Sequence, residues 1–404
     1  MLFRLVIVFI ASFLIANSAN ARCAHFNKVS LRAALPKYAI LQPVINAMRE
    51  CGNLDVKLIE DLSNIGVVQG GSTQKPENIL GVSTSNFDSL VKRNALKPLN
   101  DLIKRFGSNL NERQFQRVDG KIVAIALAAN TQNLLIHRDL FRRENLSAPK
   151  TYVDLIEAAK KLLPLKAIKK PLSMSLKDGW NVANHFVNLH LANGGKLIDE
   201  NQQPFINTSQ GVYSLNLLKE LVAFVPEDFS TIGPQAVLQN LIRGEVGMAI
   251  LWGSNLSAID NETISRVSGR MDISPVPTLQ WGTVPASTLW WDGIGISISS
   301  TDEEAEAAFK VIMEGIDDEM VKANKNVAVW LMDSYKPGRL AKGIFDAVER
   351  KIPNYPATQA SELLHAFLGQ QIPLFLKGEK SAKEALSEVE SLFVKAASER
   401  GLIK

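Results

Sequence analysis

Tryptophan beside short polar residues is the most informative side-chain pattern in this sequence. Three segments carry it, each in a region that we interpret as a strand end or a loop: Lys177–Trp180, Trp252–Asn255 and Trp290–Asp292. A sugar offers apolar C–H faces to an aromatic ring and hydroxyl groups to Asn, Asp and Ser. Because strand ends border the ligand crevice of an α/β fold, these segments could line a carbohydrate site.

A core position is the alternative for each of these tryptophans, because large aromatic rings also dominate protein cores. For the adjacent tryptophans at 290 and 291, we expect one ring in the core and allow the other to contact a ligand. Neighbouring residues of a strand face opposite ways, so one of Trp290 and Trp291 must point into the core. We therefore expect Trp252 and at least one member of the pair to contact a ligand, with Asn255 or Asp292 hydrogen-bonding at its rim.

The motifs of common enzyme and metal sites are missing. There is no G-x-S-x-G nucleophile elbow and no G-x-x-x-x-G-K-[ST] phosphate loop. The histidines closest in sequence, His185 and His190, diverge on a helix, and the tyrosines are scattered, which argues against zinc and iron. Acidic pairs such as Asp317-Asp318 are typical of solvated helix ends. We predict no catalytic residue, no metal and no cofactor.

Composition and charge are those of an ordinary globular protein. The chain has 404 residues, of which 46% are apolar and 21% charged, and this length favours two domains. Lys and Arg number 45 against 41 for Asp and Glu, without the basic stripe that a phosphate backbone requires. Nucleic acid is therefore not an expected partner.

The N-terminus has the pattern of a secretory signal peptide. Arg4 precedes the apolar run Leu5–Ala16, and Ala19-Asn20-Ala21 supplies a small-x-small cleavage site. A membrane anchor needs about twenty apolar residues, and this run is shorter. We predict that residues 1–21 are removed after Ala21 and that the mature protein is periplasmic.

The two cysteines predict one disulfide bond. Cys23 and Cys51 are the only cysteines, and an even number in an exported protein indicates pairing. The residues before Cys23 lack the leucine and the small residue of a lipid-attachment site. We therefore expect an untethered protein with Cys23 bonded to Cys51.

Strands alternate with helices along the chain, which predicts α/β layers with a largely parallel sheet. Hydroxyl caps followed three residues later by a carboxylate mark helix starts at Thr151, Thr301 and Ser381. Expected strands include Val29–Leu35, Val56–Ile59, Asn78–Ser83, Lys121–Ala128, Gln132–His137, Glu245–Leu251, Asp272–Val276 and Gly293–Ser299. The last of these alternates isoleucine with small residues, as a half-buried strand would.

Four segments, in order, resemble the family 1 extracellular solute-binding proteins, the maltose-binding-like receptors of ABC importers. They are Asn78–Asp101 (NILGVSTSNFDSLVKRNALKPLND), Lys121–Leu163 (beginning KIVAIALAANTQNLLIHRDLF), Arg243–Asn255 (RGEVGMAILWGSN) and Phe375–Gly401 (beginning FLKGEKSAKEALSEVESLF). The sequence departs from the family at His137-Arg138, where Tyr-Asn is usual, and at residues 74–78, where a Pro-Asp step is usual. These departures weaken any transfer of substrate identity.

The resemblance implies an α/β, two-lobed periplasmic-binding-protein fold of type II, with the ligand cleft between lobes that close by a hinge motion. The chain would cross between the lobes near residues 129–132, 291–295 and 336–346. The N-terminal lobe would then comprise residues 22–130 and 294–345, and the C-terminal lobe residues 131–293 and 346–404.

The function that the resemblance implies is capture of a small solute, a sugar or an oligosaccharide above all, and its delivery to an ABC permease in the inner membrane. Such a protein has no reaction to catalyse and is expected to be a monomer. Two alternatives remain open: an exported carbohydrate-active enzyme on a similar scaffold, and a receptor that reports ligand to a membrane sensor. The residues assigned to ligand binding are Trp252, Ser254, Asn255, Trp290, Trp291, Asp292, Trp180, Asn184, Ser85 and Asn86.

Overall fold

A computed structural model describes residues 29–37, 39–59, 76–253, 258–339 and 341–403. The predicted signal peptide and Cys23 lie outside these ranges, as do Ser254 and Asn255. The chain divides into two compact units. Unit 1 comprises the residues up to 128 together with 291–336, and unit 2 comprises 129–290 and 337–404.

Unit 1 is a sheet with helices packed on it. Its strands are β1 (Leu31–Pro36), β2 (Leu54–Ile59), β3 (Ile79–Ser83), β4 (Phe115–Val118), β5 (Lys121–Asn130), β10 (Trp290–Ile296) and β11 (Val329–Trp330). Its helices are α1 (Gln42–Cys51), α2 (Phe87–Lys92), α3 (Asn100–Phe106), α9 (Asp302–Gly315) and α10 (Asp318–Ala323). The strand order is β11-β5-β10-β3-β1-β2, and β4 pairs with β5.

The prediction of a largely parallel sheet is correct for only part of unit 1. Strand β1 pairs in parallel with β2 and β3, whereas β10 runs antiparallel to β3 with Asp292 opposite Ser83. The prediction of a half-buried strand near residue 293 is wrong, because β10 lies between β5 and β3 and residues Gly293–Ile296 are buried. A Cβ atom at Gly293 would lie 2.2 Å from the Ile125 carbonyl oxygen, so only glycine allows this close approach.

Unit 2 has a smaller mixed sheet with helices packed against it. Its strands are β6 (Gln132–His137), β7 (Lys170–Met174), β8 (Val246–Trp252) and β9 (Met271–Pro275), in the order β7-β8-β6-β9. Its helices are α4 (Arg138–Arg143), α5 (Tyr152–Leu162), α6 (Trp180–Ala192), α7 (Ser209–Val222), α8 (Pro234–Ile242), α11 (Lys342–Glu349), α12 (Gln359–Leu376) and α13 (Ala382–Glu399). Strand β6 is antiparallel to both of its neighbours, and β7 is parallel to β8.

Local signals in the sequence were good guides to where helices begin. The predicted caps at Thr151, Thr301 and Ser381 are confirmed, each accepting a hydrogen bond from the backbone N–H of the residue three positions later. Helix α6 was not predicted. Residues Val182–His190 of this helix are buried on every side, so the sequence has no amphipathic stripe to reveal it.

The third change of unit follows Lys336. Helix α11, which comes after it, packs on β6 and β9 of unit 2. Within the described ranges, no helix has the length and apolar character needed to cross a membrane. Nor do the described residues include a group of three or more His, Cys, Asp or Glu that could hold a metal ion.

Candidate functional site

Five ring-bearing side chains of unit 2 lie together, and we call them the aromatic cluster: Trp180, Trp252, Trp290, Tyr355 and His365. The Trp180 ring centroid is 6.2 Å from that of Trp252 and 5.6 Å from that of Trp290, and Trp252 and Trp290 are 6.1 Å apart. Trp180 is 45% exposed, and the other two indoles are partly exposed. The structure therefore brings together three tryptophans assigned to ligand binding from sequence, in a place that solvent reaches.

The ends of secondary-structure elements position these rings. Trp180 begins α6, Trp252 ends β8 and Trp290 begins β10. The segment before α12 is held alongside β10, because the Leu289 N–H donates to the Pro353 carbonyl at 2.8 Å and the Tyr355 N–H donates to the Leu289 carbonyl at 3.1 Å. This pairing brings Tyr355 against Trp290, where the two rings stack with centroids 4.3 Å apart.

His365 joins two members of the cluster. Its Nε2 lies 2.9 Å from the Trp180 carbonyl oxygen, and its Nδ1 lies 2.5 Å from the Tyr355 hydroxyl. A carbonyl can only accept, so we assign the proton to Nε2, and Nδ1 then accepts from the Tyr355 hydroxyl. Burial lowers the pKa of His365 to about 4, while the hydrogen bond to Trp180 opposes that shift. The imidazole is therefore neutral at physiological pH.

A chain of buried polar groups orients the Trp290 indole. The indole Nε1–H donates to the Thr288 hydroxyl at 3.1 Å, and that hydroxyl donates to the Asn188 Oδ1 at 2.9 Å. The Asn188 amide in turn donates to the Gln132 Oε1 at 3.0 Å. Thr288, Asn188 and Gln132 are all buried, so each hydrogen bond replaces contact with water. These hydrogen bonds on the buried side of the indole hold Trp290 in one orientation.

The second tryptophan of the pair has a different environment. Trp291 belongs to unit 1, is 4% exposed, and meets the ring of Phe87 edge to face at 5.5 Å. Its backbone N–H donates to the Thr84 hydroxyl at 2.9 Å. Trp291 is therefore the core member of the pair, and the expectation that one of the two contacts ligand rests on Trp290.

Asp292 lies in unit 1, where its backbone pairs with Ser83 of β3. Among the described residues, no side-chain hydrogen bond or ion pair is made by its carboxylate. Burial alone raises its pKa to about 7. Asp292 is partly exposed at the start of β10, so its carboxylate is available to a donor that a ligand would supply.

The remaining predicted residues are less suited to contact a ligand. Asn86 is buried, and its amide is engaged with backbone: Oδ1 accepts from the Ser83 N–H at 2.8 Å and Nδ2 donates to the Gly81 carbonyl at 3.1 Å. Ser85 is the exposed polar side chain of that loop. The structure does not bring Asn184 to the surface, because α6 is covered on all sides there and the side chain is fully buried.

Sequence reasoning missed Tyr355 and His365. In the sequence they stand out only as potential metal ligands, and no second ligand lies near either of them. Their role in the cluster comes from contacts between distant parts of the chain, for which the sequence has no local signal. The one hint is Thr358, which caps α12 and so indicates that His365 is on a helix that begins close to Tyr355.

The arrangement suits recognition better than chemistry. It presents partly exposed indole faces held by stacking and by hydrogen bonds behind them. Such faces take the apolar C–H surface of a sugar ring. His365 could serve as a base, but both of its ring nitrogens are engaged in hydrogen bonds. The Tyr355 hydroxyl donates one of these hydrogen bonds, and burial raises the pKa of that phenol.

The chain is similar to known proteins in sequence family and in fold. Residues 33–319 match the family model described as bacterial extracellular solute-binding protein. Among solved structures, the chain is similar to an ABC transporter solute-binding protein from Agrobacterium radiobacter K84 in complex with ribitol (19% identity, TM-score 0.73, covering 92% of this chain and 99% of that one).

Two further structures have the same fold. One is a solute-binding protein from Agrobacterium vitis S4 with bound D-mannitol (19% identity, TM-score 0.71, 92% and 99% coverage). The other is maltose-bound MalE3 from T. maritima (16% identity, TM-score 0.71, 91% and 99% coverage). No curated protein matches the chain in sequence. The family match spans most of the chain, so this protein is a member of the bacterial extracellular solute-binding protein family.

Proposed function

We propose that this protein is the periplasmic substrate-binding component of an ABC importer and that it captures a small carbohydrate. The observation that carries the proposal is the aromatic cluster, in which Trp180, Trp252 and Trp290 lie within about 6 Å of one another, centroid to centroid, and are partly exposed. Grouped exposed apolar side chains are typical of ligand-binding grooves, and three partly exposed indoles form such a group here.

The relatives in the fold support carbohydrate as the class of solute. Ribitol, D-mannitol and maltose are the molecules bound in three similar structures, and all three present hydroxyl groups on a carbon framework. We propose that such a solute stacks on the indoles of unit 2. In unit 1 we propose that Asp292 accepts hydrogen bonds from its hydroxyls, with Ser85 as a weaker candidate.

Export, partner and assembly complete the proposal. We propose that residues 1–21 are a cleaved signal peptide, that Cys23 and Cys51 form a disulfide, and that the monomer delivers its solute to an ABC permease. Ser254 and Asn255, which lie outside the described residues, remain proposed contacts. We also keep the proposed lobes, 22–130 with 294–345 and 131–293 with 346–404.

Native mass spectrometry of the protein as purified tests the class of solute. The expected result is an added mass, lost on denaturation, that fits a sugar or polyol. Titration calorimetry of the stripped protein with ribitol, D-mannitol and maltose then ranks the candidates. A non-carbohydrate adduct, together with no heat from any of the three, would contradict the proposal.

Incubation with the bound carbohydrate tests the absence of catalysis. A transport protein should return maltose or a longer oligosaccharide intact after hours with a stoichiometric amount of protein. Chromatography that shows shortened products, growing in proportion to protein concentration, would favour the exported enzyme instead.

A further inference from the structure

His365 lies at the junction of the aromatic cluster, although it has no free polar atom to offer a solute. It is 3% exposed, and it contacts Trp180 and Tyr355 by stacking and by hydrogen bonding at the same time. Its ring is 5.1 Å from the Trp180 ring with the two planes 28° apart, while Tyr355 lies 5.7 Å away at 65°. Both neighbours also contact the Trp290 ring, whose centroid is 5.6 Å from that of Trp180 and 4.3 Å from that of Tyr355.

The hydrogen bonds of His365 connect backbone to side chain. Nε2 holds the carbonyl of Trp180, which fixes the first turn of α6, and Nδ1 holds the hydroxyl of Tyr355, whose ring backs Trp290. A second contact from α12 reinforces the first. The Gly179 N–H donates to the Gly369 carbonyl at 3.2 Å, and Gly369 follows His365 by one helical turn.

We infer that His365 is a positioning residue: the neutral imidazole, protonated at Nε2, holds Trp180 and Tyr355 so that the Trp180 and Trp290 faces are set for the solute. This inference rests on the proposed function only for the claim that the rings bind a solute. The positioning itself is a property of the free protein and can be measured without any solute.

Protonation of His365 should release one side of this junction. A second proton at Nδ1 removes the acceptor for the Tyr355 hydroxyl, whereas the bond from Nε2 to Trp180 remains. Near His365, α12 carries Glu362, and the neighbouring segments carry Tyr355, Lys177 and Asp178. Three helices pack on α12: α6 carries His185 and His190, α7 carries Tyr213, Lys219 and Glu220, and α13 carries Lys383, Glu384, Glu388, Glu390, Lys395 and Glu399. Asp178 pairs with Lys377 at 3.5 Å at the surface, and the pKa shift of His365 comes from burial and the Trp180 carbonyl rather than from these charges.

Fluorine NMR of protein labelled with 5-fluorotryptophan tests the inference. The variant His365→Leu keeps the bulk but loses both hydrogen bonds, and it should shift or broaden the Trp180 and Trp290 resonances. Trp330, fully buried in unit 1, is the internal control and should not move. The six resonances are assigned by single Trp→Phe variants.

Three further measurements separate positioning from general destabilisation. His365→Gln keeps a donor for the Trp180 carbonyl and should restore the Trp180 resonance toward its wild-type position. On acidification, the wild-type Trp290 resonance should titrate with a midpoint near pH 4, the pKa of His365, and the His365→Leu variant should lack that step. His185→Gln is the matched control, because burial also lowers the pKa of His185 to about 4 while its ring is not in the cluster.

The outcomes decide between the interpretations. Unmoved Trp180 and Trp290 resonances in His365→Leu would overturn the inference, and so would movement of all six, which indicates loss of the fold. With maltose, ribitol or D-mannitol as the probe, the variant should bind about tenfold more weakly. If no probe binds the wild-type protein, the proposed function fails while the fluorine spectra still test the positioning.

Discussion

At the scale of single residues, the Trp290-Trp291 step shows how adjacent side chains of one type acquire different roles. Trp290 belongs to unit 2 and is partly exposed in the aromatic cluster, whereas Trp291 belongs to unit 1 and packs on Phe87. Strand β10 begins at this step, and the alternation of a strand sends the two rings to opposite faces. The pair therefore offers a direct comparison between a partly exposed ring and a core ring.

We expect Trp290→Ala and Trp291→Ala to fail in different assays. Loss of the Trp290 ring removes stacking area worth about 2 kcal/mol, or about thirtyfold in affinity for the solute. Loss of the Trp291 ring leaves a core cavity and should lower the free energy of unfolding by about 3 to 5 kcal/mol with affinity retained. Chemical denaturation and calorimetry on both variants measure the two quantities. A Trp290→Ala protein that binds normally and melts early would remove Trp290 from the site.

Asp292 should be costly for folding and useful for binding. Burial raises its pKa to about 7, above its value of about 4 in the unfolded chain, so the folded state binds this proton more tightly. The stability of the protein should therefore fall as pH rises from 4 to 7, and Asp292→Asn should melt higher than wild type at pH 8. Glu303→Gln, at an exposed position of unit 1, is the control and should change little.

The same substitution should weaken binding. A solute hydroxyl that donates to the Asp292 carboxylate favours its charged form, so wild-type affinity should increase between pH 6 and pH 8. The affinity of Asp292→Asn should be lower and flat over that range. A variant that is both less stable and equally tight-binding would show that Asp292 has a structural role instead.

At the scale of elements, the contact of α6 with α12 sets where Trp180 stands. Gly179, just before α6, has a φ of 92°, a conformation that favours glycine. A Cβ atom at Gly369 of α12 would lie 2.7 Å from Gly179 backbone atoms. Two glycines therefore let the start of a buried helix approach its neighbour closely, and Trp180 follows directly.

We expect Gly369→Ala to displace the first turn of α6, because the added methyl group meets backbone that cannot rotate away. The overpacking should cost about 1 to 3 kcal/mol of stability and also weaken solute binding through Trp180. Thermal melting and calorimetry measure the two effects. Gly338→Ala is the matched control in unit 2, since a Cβ atom there meets nothing within 4 Å. Equal behaviour of the two variants would contradict the argument.

Element prediction from the sequence worked where the signal is local. Strands β6 and β8 were predicted to within one residue at each end, because short apolar runs between polar turns are strand signals. Helix α6 was missed because it is buried on all sides and therefore lacks the amphipathic pattern that predicts a helix. The mixed direction of both sheets was missed as well, since strand direction depends on how the chain returns between units.

At the scale of the whole molecule, the first prediction concerns the cysteines. Cys51 is buried at the end of α1, and Cys23 lies outside the described residues. We expect the pair to be bonded, with a stabilisation of roughly 3 to 4 kcal/mol in the chain-entropy model. Alkylation of the denatured, unreduced protein should label no thiol, and two labels would refute the bond. Cys51→Ser, which should expose one thiol, checks the assay.

We also expect the two proposed lobes to close around the solute. Contacts that a solute makes with both lobes exist only in a closed state, so a solute favours closure by the difference in its affinity for the two states. We expect small-angle scattering to show a smaller radius of gyration at saturation. The Trp290→Ala protein at the same solute concentration is the control for solvent effects. An unchanged radius with the wild-type protein saturated would contradict the hinge.

The sequence by itself determined the class of fold, the family and the tryptophans worth testing. Those features depend on apolar periodicity, helix caps and residue types that act within a few positions of one another. Only the tertiary structure decided that Trp290 rather than Trp291 joins the cluster, that Asn184 is buried, and that Tyr355 and His365 complete it. Each of these features depends on packing between segments that are distant in sequence, and the amino-acid sequence has no local signal for such packing.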